Sequence, residues 1–467
     1  MPLFPDAPST QRQIARTRAR ADRHSGAIAH RFRRIAIAVC CVALSSGCQN
    51  PSPSTVAPAV PSPSQPPPSP LPPLLATALI PSAAELKPAI ATFIEGTAAS
   101  STLANAQGVW LQDDRGLLAD YQGTVPLSAA SLTKAATSLA ALQTLGAGYR
   151  YETQVGFTGA VQNGLLKGDL IVRGGQNPFF VWEDAIALGN FLTRQGIRQI
   201  DGNLVIQGPF YMNFETQTAA VGAALRQGLD ANLWPQEALQ QYQTLPATTP
   251  KPQVTIKGGI VAVESAPAQT QWMLQHRSLP LASLLKKMNR YSNNPMADTI
   301  ANSIGGPKIV AQQAIAATGV GPSEIQLVNG SGLAVENRMS PRAVCGIFRA
   351  IDRLVQAQGM TVADIFTVMG QDESVLDQRP LPVQSVLKSG TLDTVSALAG
   401  ALPTRQGVVW FALMNNEGDV EAFRKQQETL LSALDRTLGP SKLPLPALKS
   451  TIPEPPASVF EQLWVKL

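Results

Sequence analysis

Cysteine and histidine are scarce in this chain, and their placement excludes most metal and redox chemistry. Of 467 residues, four are cysteine and three are histidine. Cys40, Cys41 and Cys48 stand near the N-terminus with His24 and His30, which leaves Cys345 and His276 for the body. One residue of each type cannot assemble a zinc site of the usual ligand set, and a lone body cysteine makes no internal disulfide. Neither a metal nor any other cofactor is expected. A Ser–His–Asp triad would have to use His276. Cys345 falls in the helical pattern SPRAVCGIFRAIDRLV, where a buried free thiol is the expected role.

Excess charge of one sign is also lacking. The formal net charge is +5, but eight arginines precede Cys48 against only Asp6 and Asp22. Without residues 1–47 the chain holds 29 basic and 30 acidic residues, a net charge of −1. A nucleic-acid partner therefore has no support. Long apolar runs are missing too. The run at residues 35–44 is too short to span a membrane as a permanent helix. Following an Arg-rich segment, it reads as an export signal over residues 1–47. Ser45-Ser46-Gly47-Cys48 resembles the lipobox of bacterial lipoproteins, which implies lipidation of Cys48 and a membrane anchor there. Ser45 departs from that pattern, which usually has Leu; ordinary signal cleavage and a retained short anchor are the alternatives.

What the chain does have begins with proline. Residues 48–75 form a Pro/Ser-rich tether with eleven prolines between Pro51 and Pro73. Such a segment cannot bury a core and extends at roughly 3 Å per residue, enough to hold a domain away from a membrane. Beyond it, periodicity predicts a helix over 83–93 and two strands, 107–112 and 116–122, joined at Asp113-Asp114-Arg115-Gly116. Between Tyr151 and Gln275 the texture is mainly of strands, with one helix over 183–195 and a less regular segment around 215–245. Helical periodicity returns at 281–289, 296–304, 307–319 and 341–356. Three strands (382–390, 394–401 and 407–414) and a helix over 420–438 close the regular part. This order predicts an α+β layer architecture, with a sheet fed by hairpins from both ends of the chain. The Pro-rich tail after Gly439 ends in SVFEQLWVKL, read as a short amphipathic helix without a function.

The chemistry-bearing stretch is Ser131-Leu132-Thr133-Lys134, opening an Ala- and Leu-rich helix. Residues three apart share a helix face, so Lys134 stands one turn above Ser131. A desolvated, partly neutral lysine can take a serine's proton without any histidine. One S-x-x-K arises often by chance. Two further motifs follow. Ser292-Asn293-Asn294, stiffened by Pro295, can present a proton-relaying hydroxyl and an amide for a carbonyl; alone it is an ordinary polar turn. Lys388-Ser389-Gly390-Thr391 ends an apolar strand, where lysine and hydroxyl can grip a carboxylate and Gly390 lets a substrate backbone approach; alone it is a solvated strand end. The ordered set S-x-x-K, S-x-N, K-[ST]-G in one exported chain is far more specific than any member, and it is the set of β-lactamases and penicillin-binding proteins.

From about Ala83 to Leu438 the sequence resembles the class C low-molecular-mass penicillin-binding proteins, D-alanyl-D-alanine carboxypeptidases/endopeptidases. HRSLPLASLLKKMNRYSNNPMAD, VNGSGLAVENRMSP, LKSGTLDTVSALAG and YRYETQV carry the likeness, with GDLIVRGGQNP and IDGNLVIQGPF from the stretch between the first two motifs. The resemblance implies a penicillin-binding-protein/β-lactamase-like transpeptidase fold with a β-rich domain inserted there. The expected boundaries are 1–47 signal, 48–75 tether, 76–152 and 276–438 transpeptidase-like, 153–275 insert and 439–467 tail.

The same resemblance implies Ser131 as the acylated nucleophile and Lys134 as its base. Ser292 and Asn294 would assist proton transfer and hold the peptide, while Lys388 and Ser389 would bind the terminal carboxylate. Gly390 and Thr391 would lie against the substrate, with the backbone N–H groups of Ser131 and Thr391 as oxyanion hole. The implied partners are peptidoglycan stem peptides and β-lactam antibiotics, in the periplasm or cell envelope. Four positions depart from the family pattern. Asn293 stands for Asp and Ser389 for Thr, both keeping hydrogen-bonding capacity. Asn177 stands for an Asp and Val335 for an Arg, at positions that help read the stem-peptide diamino acid. A β-lactamase or esterase on the same fold, and a non-catalytic wall-binding lipoprotein, are the competing readings.

Overall fold

The computed structural model describes residues 74–76, 83–103, 105–442, 444–456 and 459–467. The expected signal, Cys48 and nearly all of the tether lie outside these residues.

The central sheet has six strands, all antiparallel, in the order Thr367–Val368, Val386–Leu392, Val395–Thr404, Gly407–Asn415, Gln107–Gln112 and Leu117–Tyr121. The N-terminal hairpin thus pairs with the last long strand, Gln107 opposite Asn415 and Gln112 opposite Trp410. Strand period two sends alternate residues to opposite faces. Val109, Leu111, Phe411 and Leu413 meet the Ala83–Ala99 and Val420–Leu438 helices in one core, through Leu86, Phe93, Leu431 and Leu434. Gly108, on the other face, lies against Pro341 at the start of the Pro341–Gln356 helix. The hairpins predicted at both ends of the chain therefore build one α+β layer.

The Pro341–Gln356 helix occupies the predicted span, and its start has a local cause. Ser340 accepts from the Ala343 N–H at 3.0 Å, and Pro341 takes the first turn, where no N–H is needed. Its buried face includes Cys345, a free thiol with no exposure, as expected. The Val386–Leu392 strand starts later than the predicted Pro382. Pro382 has no N–H to give a ladder, and Gln384 sits at φ +64°.

The stretch between the first two motifs has its own core and a mixed six-stranded sheet. The order is Ile260–Val263, Leu204–Gln207, Leu170–Arg173, Glu152–Phe157, Gln271–Arg277 and Trp464–Lys466. The first three strands run parallel. Parallel neighbours need crossovers of a dozen or more residues. The helices Trp182–Arg194 and Thr218–Leu229 supply them. The second was read as irregular, yet Val221, Leu225 and Leu229 recur every four residues and are fully buried. The tail also differs from expectation. Val459–Gln462 is a single helical turn, and Trp464–Lys466 adds an edge strand against Gln271–Arg277.

Candidate active site

The turn that carries Ser131 is strained and tightly packed. Ala130 lies at φ +45°, a left-handed conformation that costs a residue with a Cβ roughly 1–3 kcal/mol. A 3-10 turn, Ala130–Leu132, leads into the Thr133–Leu145 helix, so Ser131 precedes the α-helix rather than opening it. The Ala129 N–H donates to the Asn337 carbonyl at 2.8 Å, and the Leu132 N–H to the Ala129 carbonyl at 3.0 Å. Two glycines from distant segments press on the turn. A Cβ on Gly332 would stand 1.8 Å from the Ala130 oxygen, and one on Gly390 would stand 3.0 Å from the Ser131 nitrogen. Residues Thr133 to Leu142 are all buried. Alanine at 135, 136, 140 and 141 is what lets a helix run through the middle of the molecule.

Lys134 projects back over that turn. Its Nζ donates to Ser131 Oγ at 2.9 Å, Asn294 Oδ1 at 2.7 Å and the Ser331 carbonyl at 2.7 Å. The side chain is fully buried. Burial holds its pKa well below the ordinary lysine value, the nearby Lys388 cation lowers it further, and Asp298 opposes both. Once a proton leaves, the bond to Ser131 can invert, with the hydroxyl donating to the nitrogen lone pair. Asp298 acts on Lys134 through structure as well. Its Oδ1 accepts from the Gly330 and Ser331 N–H groups at 3.0 and 2.9 Å, fixing the turn whose carbonyl binds Lys134.

A second lysine–serine pair faces the first. Lys388 Nζ donates to Ser292 Oγ at 3.0 Å and to the Ser389 carbonyl at 2.7 Å. Lys388 is 1% exposed, and burial pushes its pKa down to about 7. Ser292 occupies the left-handed region at φ +51°, at the break between the Leu281–Arg290 and Asn294–Ser303 helices. Asn293 caps the second of these by accepting from the Met296 N–H at 2.9 Å. The family's Asp can be replaced here because either side chain offers that oxygen.

Ser131, Lys134 and Asn294 thus form one bonded group, and Ser292, Lys388 and Ser389 another. Gly390 packs on the Ser131 turn, and Thr391 Oγ1 accepts from Arg424 Nη2 at 3.1 Å. Asn177 is not part of either group. It is 2% exposed, its Oδ1 accepts from the Phe179 N–H at 3.0 Å, and its Nδ2 is buried without a protein partner. Val335, by contrast, is 57% exposed.

His276 has an acidic partner but no serine. Its Nε2 lies 2.9 Å from Asp184 Oδ1, both side chains are fully buried, and its ring packs between Phe180 and Trp464. Ser331, Asp298 and Arg424 were missed as site residues. Ser331 lies within the VNGSGLAVENRMSP segment, but it acts through a backbone carbonyl, which leaves no side-chain signature.

Comparison with known proteins shows what the chain is similar to. Residues 94–218 and 238–437 match the model of the D-Ala-D-Ala carboxypeptidase 3 (S13) family. The D-alanyl-D-alanine carboxypeptidase DacB of Haemophilus influenzae is 23% identical over 410 residues, spanning 66% of this chain and 85% of that protein. A predatory endopeptidase of Bdellovibrio bacteriovorus, solved as its penicillin G acyl adduct with an immunity protein, superposes with a TM-score of 0.63. It is 21% identical, over 73% of this chain and 96% of its own. Penicillin binding protein 4 of Haemophilus influenzae, solved with a β-lactam, superposes with a TM-score of 0.56 at 20% identity, over 75% of this chain and 99% of its own. The two structural likenesses establish the shared fold.

Proposed function

The chain belongs to the D-Ala-D-Ala carboxypeptidase 3 (S13) family, as a serine-type class C penicillin-binding protein, and from that premise we propose that its reaction runs through an acyl-enzyme on Ser131. Ser131 Oγ attacks the carbonyl of the penultimate D-alanine while Lys134 Nζ takes its proton. The oxyanion is held by the Ser131 and Thr391 N–H groups, donors fixed before the reaction begins. The proton passes through Ser292 to the departing amine, and the peptide bond breaks to release D-alanine. Water then attacks the ester while Lys134 accepts its proton, the ester bond breaks as that proton passes to Ser131 Oγ, and the shortened stem peptide leaves. Lys388 as cation, with Ser389, binds the terminal carboxylate, and Asn294 holds the peptide beside Lys134. Penicillin would enter as a substrate whose ester is slow to hydrolyse.

The observation that carries this reading is the 2.9 Å approach of a fully buried, pKa-lowered Lys134 to Ser131. Cross-link cleavage would be the same chemistry with a longer leaving group, and we include it. The third residue of the stem peptide would be read by neither a carboxylate at 177 nor a guanidinium at 335. Mass spectrometry of D-alanine release from pentapeptides with different third residues tests both points. Release with rates within about tenfold of one another is expected, since neither charged contact, each worth about 1.5–3 kcal/mol, is there to tell the third residues apart. A preference above a hundredfold for a diamino acid bearing both charges would overturn the specificity reading, and no release would overturn the activity.

The setting proposed is the cell envelope, with the domain boundaries expected from the sequence. Cys48 would carry the lipid and residues 48–75 would hold the enzyme off the membrane. Labelling with an alkynyl fatty acid, lost in Cys48→Ser, would support the anchor; equal labelling or none would remove it.

A further inference from the structure

The chain after the family's matched span, which ends at 437, returns across the molecule as a strap. It is anchored twice. At one end Asp364 accepts from the Thr451 and Ile452 N–H groups at 2.7 and 2.9 Å and from the Ser450 and Thr451 hydroxyls, while Thr361 donates to the Lys449 carbonyl. At the other, Trp464–Lys466 pairs with Gln271–Arg277. Between the anchors stands Glu454. One carboxylate oxygen accepts from Lys287 Nζ at 3.2 Å and the other from Arg290 Nη1 at 2.7 Å.

Those two cations occupy the last turn of the Leu281–Arg290 helix, which ends two residues before Ser292. Their side chains are only 9% and 8% exposed. Two like charges so placed need a counter-charge, because removing it leaves both desolvated and repelling. Arg290 is also a junction. Its Nε donates to the Glu373 carbonyl at 3.0 Å, its own carbonyl accepts from the Val375 N–H at 3.2 Å, and its guanidinium stands 5.4 Å from the Tyr291 ring centroid. The next residue along is Ser292, whose φ of +51° persists only if its surroundings over-determine it.

We propose that Glu454 is a positioning residue for Ser292: by clamping Lys287 and Arg290 it holds the helix end that keeps Ser292 Oγ against Lys388. The proposal rests on the proton-relay role given to Ser292 above. It assigns the strap a part in catalysis, although no strap residue among those described bonds Ser131, Lys134, Ser292 or Lys388.

The test uses the full chain with Glu454→Gln, Glu454→Asp, Ser292→Ala and the Glu454→Gln/Ser292→Ala double variant. The readouts are the acylation rate constant with a fluorescent penicillin, kcat and KM for D-alanine release, and the thermal midpoint. Glu454→Gln should lower acylation and kcat about tenfold with KM changed less than about twofold, as expected of a misplaced group rather than lost binding. Glu454→Asp should recover most of the loss. In the Ser292→Ala background Glu454→Gln should cost nothing further, because residues acting as one unit are not additive. Glu454 is half-exposed, so its amide is accommodated; if the variant nonetheless unfolds, Lys287→Met breaks the clamp from the other side and should show a smaller loss, also absent beside Ser292→Ala. Acylation by folded Glu454→Gln within about twofold of wild type, or a loss that adds in full to that of Ser292→Ala, would overturn the proposal alone. An inert wild type would overturn the catalytic reading and this one with it.

Discussion

Lys134 Nζ lies 2.9 Å from Ser131 Oγ, in a region where neither the lysine nor residues 133–142 of the helix carrying it meet solvent. Facing it, Lys388 makes the same approach to Ser292 at 3.0 Å. Burial disfavours the charge on both lysines, and the Lys388 cation lowers Lys134 further, so the cluster favours losing a proton more readily than two free lysines would. That is the condition for one to serve as base while the other serves as cation.

The pH dependence follows from those two shifts. In the proposed mechanism acylation needs neutral Lys134, so its rate should rise with pH through that residue's lowered pKa. In the same mechanism substrate capture needs cationic Lys388, whose pKa burial pushes down to about 7. The profile of kcat/KM should therefore be a bell with its alkaline limb near neutrality. Arginine stays charged at every pH of interest, so Lys388→Arg should carry that limb upward by more than two pH units. An alkaline limb that does not move in this variant would assign it to another group.

The same burial costs stability. Between a folded pKa of about 7 and an unfolded value of about 10.4, the unfolded chain holds more protons at this site, so stability rises with pH across that window and the full penalty applies below it. Lys388→Met should raise the unfolding free energy at pH 7 by about 2 kcal/mol while abolishing substrate capture. Urea titration at pH 7 and pH 9 checks it. The gain should shrink at the higher pH; equal or lower stability in the variant at both would contradict the burial argument.

Gly390 packs directly against the turn that carries Ser131. An added methyl would meet the Ala129 oxygen at 2.8 Å, the Ala130 Cβ at 3.0 Å and the Ser131 nitrogen at 3.0 Å. Gly390→Ala should shift the strained turn and lower kcat about a hundredfold, the usual consequence of displacing a reacting group by about 1 Å. Its melting temperature should fall as well, since the 2.8 Å contact is with a backbone oxygen and the turn itself must move. Kinetics and calorimetry on the same preparation separate the two effects.

Cys345 offers an independent check on the core. It is fully buried in the Pro341–Gln356 helix, and burial pushes its thiol up to about 12. Iodoacetamide at pH 8 should leave it unmodified in the folded protein and alkylate it in guanidinium. Rapid labelling without denaturant would place that helix elsewhere.

The parts of the site carried by side chains in local motifs were legible in the sequence. Ser131 and Lys134 are three apart, and the helical rule brings them together with no knowledge of the rest. Ser292, Asn294 and Lys388 were legible as an ordered set, although only folding brings 292 to 388. What stayed hidden acts through the backbone or across long separations. The Ser331 carbonyl bonds Lys134 but has no residue signature, and the strained Ala130 turn is packed against Gly332 and Gly390 from two other segments. The Thr218–Leu229 helix was missed because alanine and glycine dilute its apolar stripe, even though Val221, Leu225 and Leu229 keep the spacing. The strap was hidden for a related reason. Its final strand, Trp464–Lys466, is three residues long and exists only because an edge is free to receive it.

The central claim is that Ser131, activated by Lys134, becomes covalently acylated. Incubating the purified full chain with a fluorescent penicillin, followed by denaturing electrophoresis and peptide mass spectrometry, tests it most directly. The account predicts one adduct on the peptide carrying Ser131, absent in Ser131→Ala and slowed at least about a thousandfold in Lys134→Ala, as for loss of a nucleophile's activating base. A folded wild type that forms no adduct, or an adduct that survives Ser131→Ala, would contradict it.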